Sequence, residues 1–219
     1  IIVESKGRVI IGMFSSLIER VIEMVKIAEK YDKKVILDGY SLKANLEIAK
    51  ELGYFKPKKD AIIPAEKIND YPVSRIMIIG TGSQGEENAT LMRMASRKHK
   101  NIKIQQGDTV ILSSSVIPGN ERSVQNLKDN LSRQGAKIIH YGVAGVHASG
   151  HGCQEDLKLM MRMIKPRYFM PVHGYYFMLK TNADLAESIG IPKENIVVPI
   201  NNGAIIEATE ESLITLKES

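Results

Sequence analysis

Three of the chain's five histidines stand in one short window, as His147-Ala148-Ser149-Gly150-His151-Gly152 and Pro171-Val172-His173-Gly174. Each sits among small residues at a point where the chain leaves a regular element, the position at which α/β proteins form sites. His147 and His151 are four apart, the spacing of a helical two-histidine metal site. Ser149 and Gly150 between them, with Gly142 and Gly145 just before, argue against a helix. The pattern reads instead as a tight loop whose backbone N–H groups and imidazoles converge on an anion or a metal. The competing reading is that the histidines only cap or hydrogen-bond a turn.

A second candidate is Gly80-Thr81-Gly82-Ser83-Gln84-Gly85-Glu86, between an apolar strand at 75–79 and a helix expected at 87–96. Strand, Gly-rich loop and helix is the geometry that presents amides to a phosphate. The loop is not a P-loop, because no Lys-Ser/Thr follows the last glycine. It fits Gly-x-Gly-x-x-Gly, but no acidic residue ending a second strand stands about twenty residues on, so it is not a dinucleotide fingerprint. The alternative is that these glycines only make a tight turn. The basic loop 56–60, with Lys56, Lys58 and Lys59, reads as a solvated surface or as part of an anion-binding face.

The elements that must position these loops alternate. Strands are expected at 8–14, 33–37, 75–79, 109–113, 137–141 and 167–172, the last delivering His173. Helices are expected between them, the first capped by Ser15 or Ser16 and the second by Ser41. After the histidine loop, a helix at 155–164 carries Leu157, Met160, Met161 and Ile164 on one face, a stripe that reads as core packing. A helix at 175–188 follows. Two closing strands, at 196–199 and 204–208, are expected around an Asn202-Gly203 hairpin turn. This alternation predicts an α/β fold with a mostly parallel sheet and its functional loops at the carboxyl edge.

Composition sets bounds. At 43% hydrophobic and 25% charged, the 219 residues suit one large or two small globular domains. No apolar run reaches the length of a membrane helix, and no membrane partner is expected. Cys153 is the single cysteine, which excludes an internal disulfide and points to a cytoplasmic setting. A net charge of +5 is compatible with a polyanionic partner without requiring one. The first residue is Ile1, so the sequence reads as starting mid-chain or after processing.

Five motifs together resemble ribonuclease J, a branch of the β-CASP metallo-β-lactamase nucleases. They are Thr81-Gly82-Ser83-Gln84-Gly85-Glu86, Gly107-Asp108-Thr109-Val110-Ile111, Ile117-Pro118-Gly119-Asn120-Glu121 and the two histidine motifs, in the family's order and spacing. The resemblance covers nearly the whole chain. It implies a β-CASP domain at 1–143, with a Rossmann-like, mostly parallel sheet. It implies that 144–219 is the C-terminal portion of a metallo-β-lactamase αββα fold.

By resemblance, the full-length protein is a two-zinc ribonuclease, with Mn2+ or Mg2+ as substitutes, that hydrolyses RNA phosphodiesters as an exonuclease or endonuclease. His173 matches a zinc ligand. His151 matches a catalytic histidine that handles the leaving-group proton. His147, Ala148, Ser149, Gly150 and His151 match the substrate-phosphate contact, and Ser83 helps hold phosphates on the β-CASP side. RNA is the implied partner, and the full-length protein is expected to form a homodimer. The family's His-x-His-x-Asp-His signature is absent, so this chain alone is expected to be inactive. Where the family carries Glu and then Arg after Pro-Val-His-Gly, this chain has Tyr175 and Phe177, a departure that touches the charge network behind the metal site. A non-catalytic RNA-binding or scaffold module of the same fold is the alternative. An unrelated phosphate-binding α/β domain using the 80–86 loop is the third reading.

Overall fold

The computed structural model describes residues 1–146 and 152–216. The chain divides into two compact units, 1–148 and 149–219.

The first unit is built on a five-stranded, all-parallel sheet in the order β2-β3-β1-β4-β5. The strands are β1 (Val9–Gly12), β2 (Lys34–Asp38), β3 (Ile76–Gly80), β4 (Thr109–Leu112) and β5 (Lys137–His140). β1, β3 and β4 are buried along their whole length, which is why they read as unbroken apolar runs and not as alternating ones. Their side chains still alternate between faces. Val9, Ile11, Val35, Leu37, Met77 and Ile79 pack against α1 (Ile18–Lys30) and α2 (Tyr40–Glu51). Ile10, Ile36, Ile76, Ile78, Val110 and Leu112 pack against α3 (Thr90–Ala95) and α4 (Glu121–Ser132). A single parallel bridge from Val35 to Ile62 extends the β2 edge.

A buried ion pair closes the sheet at the amino ends of β1 and β4. Arg8 Nε and Nη2 donate to the Asp108 carboxylate at 2.9 and 2.5 Å, and Nη2 also reaches the Lys103 carbonyl at 2.6 Å. Asp108 accepts the Gln105 N–H as well, at 2.8 Å, so both charges are paired and hydrogen-bonded.

Three local expectations are corrected. Neither Ser15 nor Ser16 caps α1, which starts one residue beyond Leu17 without a side-chain cap. Ser41 lies inside α2, because Gly39 (φ +125°) turns the chain straight from β2 into the helix. The helix after the Gly-rich loop is confined to Thr90–Ala95, since residues 86–89 form a turn closed by the Ala89 N–H on the Glu86 carbonyl.

The second unit contains α5 (Gln154–Ile164), α6 (Tyr176–Ser188) and an antiparallel pair, β6 (Ile206–Ala208) and β7 (Leu213–Thr215). Its buried core is Met161, Ala186 and Ile191. The parallel sheet expected to continue through 167–172 is reduced here to one bridge, Phe169 to Ile196. The closing strands are also shifted: the ladder pairs 206–208 with 213–215, and 196–199 joins no strand. On α5, only Met161 of the predicted stripe is buried, whereas Met160 and Ile164 are exposed. The apolar pattern predicts a core face, but among the described residues only its Met161 is covered.

Candidate functional site

The strand ends Gly12, Asp38, Gly80, Leu112 and His140 are in register across the sheet. The loops that follow β3, β4 and β5 therefore leave from one edge, the carboxyl edge at which α/β folds build sites.

Gln84 ties two of these loops together. Its amide nitrogen donates to Ser114 Oγ (3.1 Å) and the Ser115 carbonyl (2.8 Å), while its Oε1 accepts the Ile117 N–H (2.8 Å). Gln84 is buried with both ends of its amide occupied, so the loops after β3 and β4 act as one body. Gly85 (φ +78°) lies against α4, where a Cβ would come within 2.7 Å of the Ser123 carbonyl group. The amides of the loop turn inward: Gln84 N–H bonds the Glu86 carboxylate and Gly85 N–H the Gly82 carbonyl. A tight, closely packed turn thus accounts for the glycines of this loop.

Ser83 is 2% exposed and its hydroxyl has no hydrogen-bond partner among the described residues. It opens into a cavity of about 20 Å3 lined by Ser114, Lys128, His140 and Tyr141 among others. That space holds one water or one phosphate oxygen, not a whole phosphate group. His140 ends β5, and its Nδ1 accepts the Gly142 N–H at 3.3 Å. The sequence singled out Ser83 but gave no reason to place His140 beside it.

Residues 147–151, comprising His147, Ala148, Ser149, Gly150 and His151, lie outside the described residues. The stem that leads into them is held in place. The buried Ser113 hydroxyl donates to the Val146 carbonyl at 2.8 Å, and Arg20 from α1 donates to the Ser113 carbonyl at 3.1 Å.

At the β2 end of the same edge, the Asp38 carboxylate accepts from Thr90 Oγ1 (2.8 Å), Arg93 Nη2 (2.8 Å) and His99 Nε2 (3.0 Å). His99 Nδ1 accepts the Ile102 N–H at 3.0 Å, so Nε2 carries the hydrogen that points at Asp38. Burial alone would raise the Asp38 pKa. The hydrogen bonds from His99 and Thr90, with the Arg93 charge, outweigh it and hold the carboxyl below the ordinary value. Sequence reading missed this cluster, whose members lie 61 positions apart at the extreme.

In the second unit, His173 is exposed and adopts φ +64°, a left-handed conformation uncommon for a side chain of this size. It lines a groove of about 610 Å3 with Tyr176, Asn201 and Asn202. Among the described residues, no three His, Cys, Asp or Glu side chains come together as a metal site. His173 alone does not hold an ion, and the residues described here do not fit a complete zinc centre. Nor is any described helix long and apolar enough to cross a membrane.

Comparison with known proteins places this architecture. Residues 6–131 match the family described as ribonuclease J, beta-CASP domain, and residues 136–199 match the Zn-dependent metallo-hydrolase RNA specificity domain. The chain is 43% identical to Ribonuclease J 1 of Streptococcus pyogenes over 94% of its own length and 37% of that protein's. It is 42% identical to Ribonuclease J of Helicobacter pylori, covering 88% of this chain and 28% of the relative. Ribonuclease J2 of Bacillus subtilis is 39% identical over 93% of this chain and 36% of its own length. The chain thus spans well under half the length of these relatives. On these matches the chain is a member of the ribonuclease J family, with a beta-CASP domain and a segment of the Zn-dependent metallo-hydrolase RNA specificity domain.

Proposed function

We propose that this chain is the RNA-holding part of a longer ribonuclease J that hydrolyses phosphodiester bonds in the cytoplasm. The β-CASP domain would occupy 1–143, and 144–219 would return into the metallo-β-lactamase domain. One observation carries the reading. The loops after β3, β4 and β5 leave a single sheet edge, and the Ser113–Val146 hydrogen bond anchors the stem of the histidine loop there.

In this reading, His147, Ala148, Ser149 and Gly150 contact a substrate phosphate, and His151 passes a proton to the leaving oxygen. Ser83 offers its unpartnered hydroxyl to a phosphate oxygen. His173 contributes one ligand to a two-zinc centre, in which Mn2+ or Mg2+ can substitute, and the remaining ligands lie outside this chain. The isolated chain then binds RNA without cleaving it, and the full-length protein works as a homodimer. A single cysteine in 219 residues supports the cytoplasmic setting.

A second reading, a non-catalytic RNA-binding module, is favoured by the exposed rings of Tyr176 and Phe177, which offer stacking surfaces for bases. One experiment bears on both: titrate the chain with a 5′-monophosphorylated single-stranded RNA and assay cleavage in the same samples. Salt-sensitive binding that weakens on joint His147→Ala and His151→Ala substitution supports the phosphate contact. Absence of RNA binding at low salt overturns both readings. If the full-length protein binds RNA but does not cut it, the module reading replaces the nuclease.

A further inference from the structure

Residues 88–107 contain Arg93, Arg97, Lys98, Lys100 and Lys103 and no Asp or Glu. Arg93 is committed to Asp38. The other four are exposed, and among the described residues none of them forms an ion pair. The carboxylate that reaches this loop, Glu66, is taken by the Asn101 amide at 2.7 Å and not by a cation.

The loop is also rigidly built. Arg97 adopts φ +61°, and the Lys98 and His99 N–H groups both return to the Arg93 carbonyl. The buried His99 ring bonds the Asn101 and Ile102 amides on one side and Asp38 on the other. Gln134 covers the Ala95 carbonyl at 2.8 Å. Arg97 and Lys98 complement the carboxyl end of α3, but Lys100 and Lys103 lie beyond the reach of that helix dipole. Four like charges on one ordered loop, none of them paired with an acid among the described residues, suit a polyanion.

The partner's class follows from what surrounds the patch. Protein interfaces place aromatic or aliphatic side chains at a dry centre. No large hydrophobic residue between 74 and 116 is exposed, so the loop itself supplies no such centre. A phosphate backbone needs none, since its affinity comes from cations and counterion release.

The position is equally specific. His99 pins the loop to the carboxyl end of β2, at one end of the sheet, while the stem of the histidine loop follows β5 at the other. Four inter-strand spacings put His99 and that stem roughly 19 Å apart along the carboxyl edge, and from His99 the loop runs on to Lys103, whose carbonyl accepts from Arg8 just ahead of β1. We propose that Arg97, Lys98, Lys100 and Lys103 form a second contact for the RNA backbone, binding nucleotides several positions away from the phosphate held by the histidine loop. The proposal rests on the RNA reading above.

The test compares the unsubstituted chain with a variant carrying Arg97→Gln, Lys98→Gln, Lys100→Gln and Lys103→Gln. Binding of a 30-nucleotide oligouridylate is measured across a salt series, with thermal melting as the folding control. Removing four phosphate contacts to a single strand should lower the slope of log affinity against log salt by about 3 and weaken binding about ten-fold or more at moderate salt. Arg97→Lys, which keeps the charge, should retain the slope. If the four-residue variant binds RNA with an unchanged slope, the patch is not an RNA contact, although the RNA reading survives. If it loses poly-glutamate binding while RNA binding is unchanged, the patch serves an acidic protein and the proposal fails. If the unsubstituted chain binds no RNA at any salt, the proposal and the RNA reading fall together.

Discussion

The Ser113 hydroxyl, just beyond β4, donates to the Val146 carbonyl at 2.8 Å, one residue before His147. A buried side chain of one strand's loop therefore fixes the backbone from which the next strand's loop departs. Removing the hydroxyl leaves the Val146 carbonyl without this donor at a cost of about 1 kcal/mol. Ser113→Ala should fold with a melting temperature only a few degrees lower, yet bind 5′-phosphorylated RNA several-fold more weakly. Equal affinity in a binding titration would show that the stem does not position the histidine loop.

Acid should loosen the β2 end of the edge. The folded Asp38 carboxyl titrates below its ordinary value of 3.8, so folding is favoured while it is ionised. That contribution is complete above the unfolded value and disappears as pH falls through the lower folded one. Asp38→Asn should lower stability at neutral pH and flatten its decline below about pH 4. Denaturant melts of both proteins across that range provide the check, and parallel acid limbs would contradict the assignment.

Arg8 and Asp108 are each about 4% exposed or less, so cutting the pair strands a charge in the interior. Arg8→Ala should destabilise the chain by about 3–5 kcal/mol. Arg8→Met combined with Asp108→Leu should recover a substantial part of that loss. A double variant as unstable as Arg8→Ala would mean that the hydrogen bonds to Gln105 and Lys103, and not the stranded charge, dominate.

Gln84 joins the loops after β3 and β4 through both ends of its amide. Gln84→Ala removes the donor to the buried Ser114 hydroxyl and the acceptor of the part-buried Ile117 N–H, and should cost about 1–3 kcal/mol. Because the two loops would then move separately, amide exchange in 81–89 and 114–120 should accelerate more than in β1. Uniform acceleration across the first unit would argue that Gln84 contributes only to global stability.

The sheet of the first unit was readable because its strands are buried on both faces and appear as continuous aliphatic runs separated by helical patterns. The glycines of the 80–86 loop were also visible, but their packing against Thr90, Ala89 and Ser123 was not, since it depends on neighbours distant in the fold. The start of α2 has no serine signal, because Gly39 at positive φ turns the chain into the helix in place of a serine cap. In the second unit the apolar stripe of α5 predicted a core that the described residues do not supply. Periodicity reports which face is apolar and does not identify what covers it. The Asp38–Thr90–Arg93–His99 cluster left no local signal, because its members meet only after the sheet forms.

The most direct measurement is RNA hydrolysis by the full-length protein containing this chain, unsubstituted and with His151→Ala or His173→Ala. Both variants should fold and retain RNA binding through the 97–103 loop, while cleavage falls by about 10²- to 10⁴-fold for His151→Ala, the range expected for loss of a proton-transfer group. His173→Ala should lose cleavage together with bound zinc. Undiminished cleavage in both variants would contradict the assignment of these histidines and, with it, the nuclease reading of this chain.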